Sequence, residues 1–570
     1  MSAAAKMIDR DAPGFASNLD ALLGDPADAS HPCGWAQVLG RDERDEYPAA
    51  ALALLHDHAL HEQGIPSGEG GAMRDLAGPM ALLRRLSRRD MTLALSFAAP
   101  LFTALPVWIA GSAEQRTWML RALRDGQRAA FCISERDHGS DLLANETVLR
   151  TQPGGYALSG EKWPINGVDS ARLLVVLTGV DGIGHPGRSA LILLDKQALP
   201  ARTWHTLPAE RTVGVRGLDL AGIVFDGCRV PPDCVIGGVG DGLSVALSAL
   251  HVSRTLCAGL SLGAVDTALR TTFAFVSERA LYGHPMLQMP HVRQRLVEAV
   301  LDIQACECLS LVAARVLQAD PSQAALWSAT LKVVVPTTVD AVIRSLAELY
   351  GARHYLRGPG DGNGVFQKAM RDAALVPFFD GNVATNLGTV AQCLGATRGA
   401  GDAVPASWFD LDRPLPPLDL RRMRGGGIAG NRLAAALAEP LPPAHARGSE
   451  IVDRHWQRLH GRWRELTAGL ARRRRALGPR WARSQSQLDG ARHYCRLHTE
   501  AACLLSWHAG AARLVPPARD PRWLERLLAR CGDAAGDAAD TADEVLADDC
   551  LALLRARAAG TSASLWLEHG

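Results

Sequence analysis

The spacing of apolar positions changes twice along the chain, and each change marks a boundary. Up to residue 128 the spacing is helical: Ala49–His61 is rich in Ala and Leu, Met80–Leu86 carries an arginine-rich flank, and Thr92–Ala104 is apolar almost throughout, as in a buried helix. Gly111-Ser112-Ala113-Glu114-Gln115 predicts a turn and an N-cap ahead of a helix over Gln115–Leu123. From residue 129 to 238 the runs shorten: Tyr156–Ser159, Leu173–Leu177, Ala190–Leu194 and Ile223–Phe225 are aliphatic or β-branched and bounded by Gly, Pro and Asp, the pattern of a β domain. Helical spacing returns over residues 239–398, where Val245–Ala264, Asp266–Ser277, Val292–Leu317 and Ala324–Tyr350 are predicted as the helices of a four-helix bundle, with Pro285 and Pro290 breaking one connection. Residues 399–429, with Arg413-Pro-Leu-Pro-Pro and Arg424-Gly-Gly-Gly, read as a linker, and residues 430–570 as a further helical block rich in Ala, Leu and Arg.

With 570 residues, 47% of them apolar, the chain can bury large cores in about three or four domains. A formal net charge of +1 gives no reason to expect nucleic acid or a highly acidic partner. The twelve cysteines show neither zinc-site nor disulfide spacing; Cys306 and Cys308 point in different directions on a helix and read as buried thiols, so no metal is expected and a reducing cytoplasm is. The N-terminal MSAAAKMIDRDAPG lacks the apolar core of a signal peptide, and no run is expected to reach transmembrane length free of charge, which predicts no stable membrane insertion. The glycines of Ile236–Leu243 come near a GxGxxG spacing, yet no βαβ unit follows, so they read as a loop feeding a helix. Arg472–Arg475 fits either a solvated helix face or a contact with an acidic membrane or carrier protein.

The chemistry centres on Phe379-Asp380-Gly381-Asn382, where a carboxylate follows an apolar run and precedes two turn-forming residues. Partial removal from water would raise the pKa of Asp380 toward that of a general base near neutrality. The alternative is that Asp380 caps a helix over Val383–Val390.

Four stretches resemble one family. Phe131-Cys-Ile-Ser-Glu-Arg-Asp-His-Gly-Ser-Asp141 is similar to the segment that acyl-CoA dehydrogenases carry as Ser/Thr-Glu-Pro followed by Gly-Ser-Asp, and Gly160-Glu-Lys-Trp-Pro-Ile-Asn-Gly167 resembles their Gly-x-Lys strand. Val230-Pro, Gly240-Asp-Gly242 and the region of Arg254 match the junction into the bundle, while Met370-Arg-Asp372 with Phe379–Asn382 resembles the Arg-Asp and Tyr-Glu-Gly-Thr stretch. The resemblance runs from about residue 15 to 396 and implies a mainly α fold with a central β-barrel: helical domain, β-barrel and four-helix bundle, here with a C-terminal helical extension. It also implies FAD between barrel and bundle, completed by a neighbouring subunit, and α,β-dehydrogenation of an acyl thioester on coenzyme A or a carrier protein. Asp380 would remove the α-proton and flavin N5 accept the β-hydride, with electrons passing to an electron-transfer flavoprotein or O2. Among cofactor residues it implies Ser134, Ser140, Asn166, Arg279, Gly351, Gly381 and Asn382; on the substrate side, Ser140, Arg254 and Gly381. Relatives with similar extensions suggest a homodimer.

Each residue also has a local reading: Ser134 ending a strand, Asn166-Gly167 making a turn, Ser140-Asp141 capping a helix and Arg254 pairing within the bundle. The chain also departs from the pattern. Asp380 replaces the usual Glu and loses one methylene, about 1.5 Å of reach. Arg136 stands for Pro, His251 for a frequently acidic residue, Pro290 for Gln, and Trp163-Pro164 takes the aromatic position beside the flavin. The glycine-rich turn before the base is reduced to Gly351-Ala-Arg-His-Tyr355. These departures favour a specialised biosynthetic thioester and leave two rivals: a flavin oxidase or monooxygenase on the same fold, and a non-catalytic scaffold that holds partners through its arginine-rich block.

Overall fold

The computed structural model describes residues 15–181, 188–358, 363–395, 403–425, 430–510, 513–532, 544–559 and 564–567; the start of the chain and the last two glycines of the Arg424-Gly-Gly-Gly run lie outside them. Contacts divide the chain into two units, one built on Leu22–Ser253 with Pro417–Gly427, the other on Arg254–Pro416 with Ile428–Gly570.

The helices before the first strand are α1 (Phe15–Leu23), α2 (Trp35–Arg44), α3 (Ala49–Asp57), α4 (Ala77–Arg89), α5 (Met91–Ala110) and α6 (Ala113–Arg124). Ser112 caps α6 as expected, in a capping box: its hydroxyl accepts from the Gln115 N–H while the Gln115 side chain accepts from the Ser112 N–H. α5 corrects the expectation about membrane-length runs. Its 20 residues carry no charge, and among the described residues it is one of three helical stretches long and apolar enough to cross a membrane by length and composition, with Gly242–Glu278 and Pro321–Tyr355. Most of each is buried within the protein, where an all-apolar surface serves a core equally well.

The sheet comprises β1 (Ala129–Cys132), β2 (Val148–Gln152), β3 (Gly155–Asn166), β4 (Leu173–Asp181), β5 (Ser189–Asp195), β6 (Trp204–Thr206) and β7 (Leu220–Val230). β4 carries β5 antiparallel on one edge, with β1 and β2 parallel on the other; β3, β7 and β6 follow antiparallel beyond β2. This curled half-barrel closes over Leu149, Leu158, Leu174, Val176, Ile192, Ile223 and Phe225. Each predicted strand lies within one of its strands, and the glycines of Ile236–Leu243 do lead into a helix.

That helix, α7 (Gly242–Glu278), is continuous and corrects the expectation of two. Nothing in Ala264-Val265-Asp266 stops a helix: there is no proline, and Asp266 is buried in its wall. After a two-strand ribbon, β8 (Ala280–Leu281) and β9 (His284–Pro285), come α8 (Pro290–Ala319), α9 (Ala324–Tyr350), α10 (Asn363–Ala373) and α11 (Val383–Gly395). α8 and α11 pack on α9, and Phe275 of α7 meets Tyr350 of α9 with ring centroids 4.7 Å apart, so α11 supplies the bundle's fourth member.

The extension belongs to the same unit. It runs through α12 (Arg432–Ala438), α13 (Glu450–Leu477), α14 (Gln485–Ala509), α15 (Pro516–Arg519), α16 (Pro521–Cys531) and α17 (Glu544–Ala559). α14 packs on α8, α9 and α11, while α16 and α17 pack on α8. The final segment threads the same face: the Leu565 N–H donates to Glu307 (3.0 Å), the Trp523 indole N–H donates to Gln304 (2.7 Å), and Trp566 is fully buried. Cys306 and Cys308 are buried free thiols.

Candidate active site

Between α10 and α11 the chain turns through Phe379-Asp380-Gly381-Asn382 with Asp380 at φ +57° and Gly381 at φ +91°. Two consecutive left-handed residues reverse the backbone within a single turn, and only the second is glycine. Three side chains hold the reversal. Arg254 Nε, on α7, donates to the Asp380 carbonyl at 2.8 Å. Asn386, one turn into α11, donates to the carbonyls of Gly381 and Asn382, both at 2.9 Å. Asn382 Oδ1 accepts from the Thr385 N–H at 2.9 Å and is the cap of α11, which removes the alternative reading of Asp380 as that cap. A Cβ on Gly381 would lie 2.9 Å from Arg254 Nη2 and 3.2 Å from Asn386 Nδ2, so the clamp closes only around a glycine.

The Asp380 carboxylate faces α7, with Oδ2 3.9 Å from Cys257 Sγ. Beneath the turn lies Lys332 of α9, fully buried, donating to the Val376 carbonyl and holding its ammonium 4.4 Å from the Phe379 ring centroid. Burial pulls the Lys332 and Arg254 pKa values down, and the negative charge of Asp380 opposes the shift at both. The same burial and the same carboxylate push the Cys257 thiol up, so it stays protonated. The expected apolar rim is therefore one side of the setting; two buried cations form the other. Lys332 escaped the sequence reading because a lone lysine in Thr330-Leu331-Lys332-Val333 reads as a helix-surface residue.

The first unit holds another group. Ser134 follows β1; its carbonyl accepts from the Trp163 N–H at 3.0 Å, and among the described residues its hydroxyl makes no hydrogen bond. Asn166 ends β3 and reaches the Leu95 carbonyl at a long 3.4 Å. Trp163, half-buried, donates to Glu210 at 2.9 Å, and Arg136 lies 4.4 Å from its ring centroid while bridging to Glu161 at 3.0 Å. Arg136 thus fills the place of the expected proline by stacking on the indole. A free hydroxyl and a loosely held amide beside an aromatic face suit the polar edge and the plane of an isoalloxazine, so these residues fit the flavin that the resemblance implies.

Behind them, fully buried Lys162 donates to Glu135 Oε1 (2.8 Å), to the Ile133 carbonyl (3.1 Å) and to Asn145. Glu135 also accepts from the N–H groups of Glu146 (2.7 Å) and Thr147 (2.9 Å). Burial works against the Glu135 charge, yet these donors outweigh it and hold its carboxyl below the usual range. The pair ties down both ends of the loop that carries Ser140, which is exposed.

Arg279 follows α7, exposed, 5.4 Å from the Phe275 ring; Arg353 approaches the same ring at 5.3 Å. Gly351, at φ +64°, ends α9 and starts the short helix that brings Arg353 there. The family resemblance points to Arg279 and Gly351 but not to Arg353, whose place depends on how that helix folds back.

Residues 130–228 match the acyl-CoA dehydrogenase middle domain and residues 240–395 the acyl-CoA dehydrogenase C-terminal domain. The probable acyl-CoA dehydrogenase FadE25 of Mycobacterium tuberculosis is 24% identical over 343 residues, covering 60% of this chain and 86% of that protein. The crystal structure of an acyl-CoA dehydrogenase complexed with FAD from Bacillus anthracis aligns with a TM-score of 0.70 at 16% identity, over 97% of this chain and 88% of that one. The prolyl acyl carrier protein oxidase AnaB aligns with a TM-score of 0.59 at 18% identity, over 66% and 97%. This chain thus carries regions that match the middle and C-terminal domains of acyl-CoA dehydrogenases, over residues 130–228 and 240–395, and it has the fold of their solved structures.

Proposed function

We propose that this protein is an FAD-dependent enzyme that introduces an α,β double bond into an acyl thioester, with Asp380 as the base that removes the α-proton. The observation that carries the proposal is the clamped turn: Arg254 holds the carbonyl of Asp380, Asn386 holds those of Gly381 and Asn382 after it, and Lys332 holds that of Val376 before it. A carboxylate held this way keeps its bearing on the substrate without reorganising during reaction, which supports proton abstraction at carbon. By the resemblance, the Asp380 N–H would donate to the thioester oxygen as charge develops there. FAD, when bound, supplies the acceptor for a hydride from the β-carbon. Ser134, Asn166 and Trp163 would hold its ring, while by the resemblance Arg279, with Arg353 near the same Phe275 ring, would reach the phosphates of a neighbouring subunit's FAD.

The shorter reach of Asp requires the substrate α-carbon to approach the turn more closely than a Glu would. That favours a compact acyl group, and the structural likeness to a carrier-protein oxidase supports a carrier-bound thioester as substrate. An anaerobic titration tests the proposal: flavin absorbance is followed while saturated acyl-CoA and acyl-carrier thioesters are added to wild type and to Asp380→Asn. Wild type should bleach with at least one thioester while Asp380→Asn binds it without bleaching. Equal bleaching by both proteins removes Asp380 from the chemistry, and a wild type that never bleaches moves the oxygen-using alternative ahead.

A further inference from the structure

Between Glu465 and Asp489 the chain has no acidic residue and six arginines: Arg472, Arg473, Arg474, Arg475, Arg480 and Arg483. They occupy the end of α13, the short helix Gly478–Arg483 and the approach to α14, and all six are exposed. Among the described residues no guanidinium of the six makes a hydrogen bond or an ion pair. Several arginines elsewhere in this unit do otherwise: Arg432 bridges to Asp320 at 2.9 Å, Arg530 to Asp302 at 2.5 Å, and Arg315 donates to the carbonyls of Ser407 and Arg413. The last-turn position of Arg474 and Arg475 complements the dipole of α13, but this effect fades within one turn and leaves the other four without a structural use.

The tip is rigidly mounted. Gly490 of α14 lies so close to α13 that a Cβ there would come within 2.4 Å of Leu470, the Trp463 and Tyr494 rings sit 5.5 Å apart, and Arg462 pairs with Glu500 across the hairpin. Six free cations on a fixed support form a preorganised surface for carboxylates, which guanidinium groups engage two oxygens at a time.

We propose that this hairpin tip docks the acidic surface of a carrier protein that delivers the acyl thioester, an inference that rests on the thioester reading above. A thioester on coenzyme A needs no such surface, whereas one on a protein must be held by protein contact. A lipid surface fits less well: interfacial helices bury large apolar side chains, and among the described residues no strongly exposed large hydrophobic lies between Leu441 and Val545. Nucleic acid fits less well too, since the excess cations are confined to one tip on a chain of net charge +1.

The test uses the full-length, FAD-loaded protein and a fluorescently labelled acidic holo-acyl carrier protein without an acyl group, with binding followed by anisotropy at 50 and 300 mM NaCl. Wild type should bind at low salt and weaken about tenfold at high salt, and the exposed quadruple variant Arg472→Gln/Arg474→Gln/Arg480→Gln/Arg483→Gln should weaken about tenfold at low salt. Equal binding by both proteins overturns the proposal. So does a wild type that ignores the carrier, or that binds only phosphatidylserine vesicles or a 20-nucleotide DNA strand offered in parallel. Because the unacylated carrier needs no turnover, failure here leaves flavin bleaching by thioesters untouched, and failure of bleaching leaves this binding result standing.

Discussion

Substituting Gly381 with alanine perturbs the turn at its tightest point. The residue sits at φ +91°, where an L-amino acid costs about 1–2 kcal/mol. The new Cβ would lie 2.9 Å from Arg254 Nη2, so the guanidinium must retreat by roughly half an ångström to reach ordinary contact. Arg254 cannot do so freely, because its Nε holds the Asp380 carbonyl at 2.8 Å, and a hydrogen bond to a charged group contributes about 1.5–3 kcal/mol. Losing part of that bond and adding the backbone cost gives about 3 kcal/mol of destabilisation. Gly388, seven positions on and inside α11, is the internal control: it has no positive φ, and a Cβ there meets nothing within 4 Å. Gly388→Ala should stabilise the protein by up to about 1 kcal/mol. Thermal melts of the two FAD-loaded variants should therefore move in opposite directions. Bleaching by the active thioester should slow at least tenfold in Gly381→Ala, since an ångström of misplacement of a base costs about that or more. A Gly381→Ala protein that melts and bleaches like wild type would refute the clamp.

Lys332→Met keeps the volume of the side chain but removes the donor to the Val376 carbonyl, a loss of about 1–3 kcal/mol, and frees the Phe379 ring; melting should fall by a few degrees and bleaching should slow, and wild-type values for both would show that the lysine does not support the turn. His498 is buried, with its Nδ1 3.2 Å from the Tyr494 hydroxyl and its ring centroid 4.1 Å from that of Trp327, and burial pulls its pKa down from 6.5 to about 3. The unfolded chain therefore binds a proton that the folded chain refuses: this residue's contribution is complete above pH 6.5 and is lost as pH falls toward 3, by up to about 1.4 kcal/mol per pH unit. Urea melts at pH 7.5 and 5.0 should show a larger acid loss in wild type than in His498→Asn, and equal losses would exclude His498 as the cause. The Asp380→Asn titration and the arginine-tip binding experiment complete the set.

Element types were largely legible because each is a matter of local period. The capping box of Ser112 and Gln115, the short aliphatic runs of β4 and β5 and the loop before α7 all rest on neighbours within a few positions. The break expected near Ala264 failed for the complementary reason: whether a helix continues past a charged residue depends on what packs against it, and Asp266 is buried. Membrane propensity failed likewise, because hydropathy counts apolar residues and says nothing of what covers them, as α5 shows. At the site, the order of motifs pointed to Asp380, Arg254, Gly381 and Asn382, which meet in one turn. It gave no hint of Lys332 or Arg353, because each acts on a partner distant in sequence.

Local chemistry alone therefore settles which segments are helix or strand, where a turn with a carboxylate must fall and which family's motifs the chain carries. Tertiary structure decides what that carboxylate faces. It places Arg254 from 126 positions away on the Asp380 carbonyl, seats Lys332 under Phe379 and turns Asn382, rather than Asp380, into the helix cap. It also makes residues beyond the matched domains part of the bundle's own wall through α14 and Trp566, while leaving six arginines of that block without a partner among the described residues at a hairpin tip. The physical reason is range. Backbone propensity and capping act over a turn or two, whereas burial, charge pairing and steric closure depend on groups brought together only when the chain is packed.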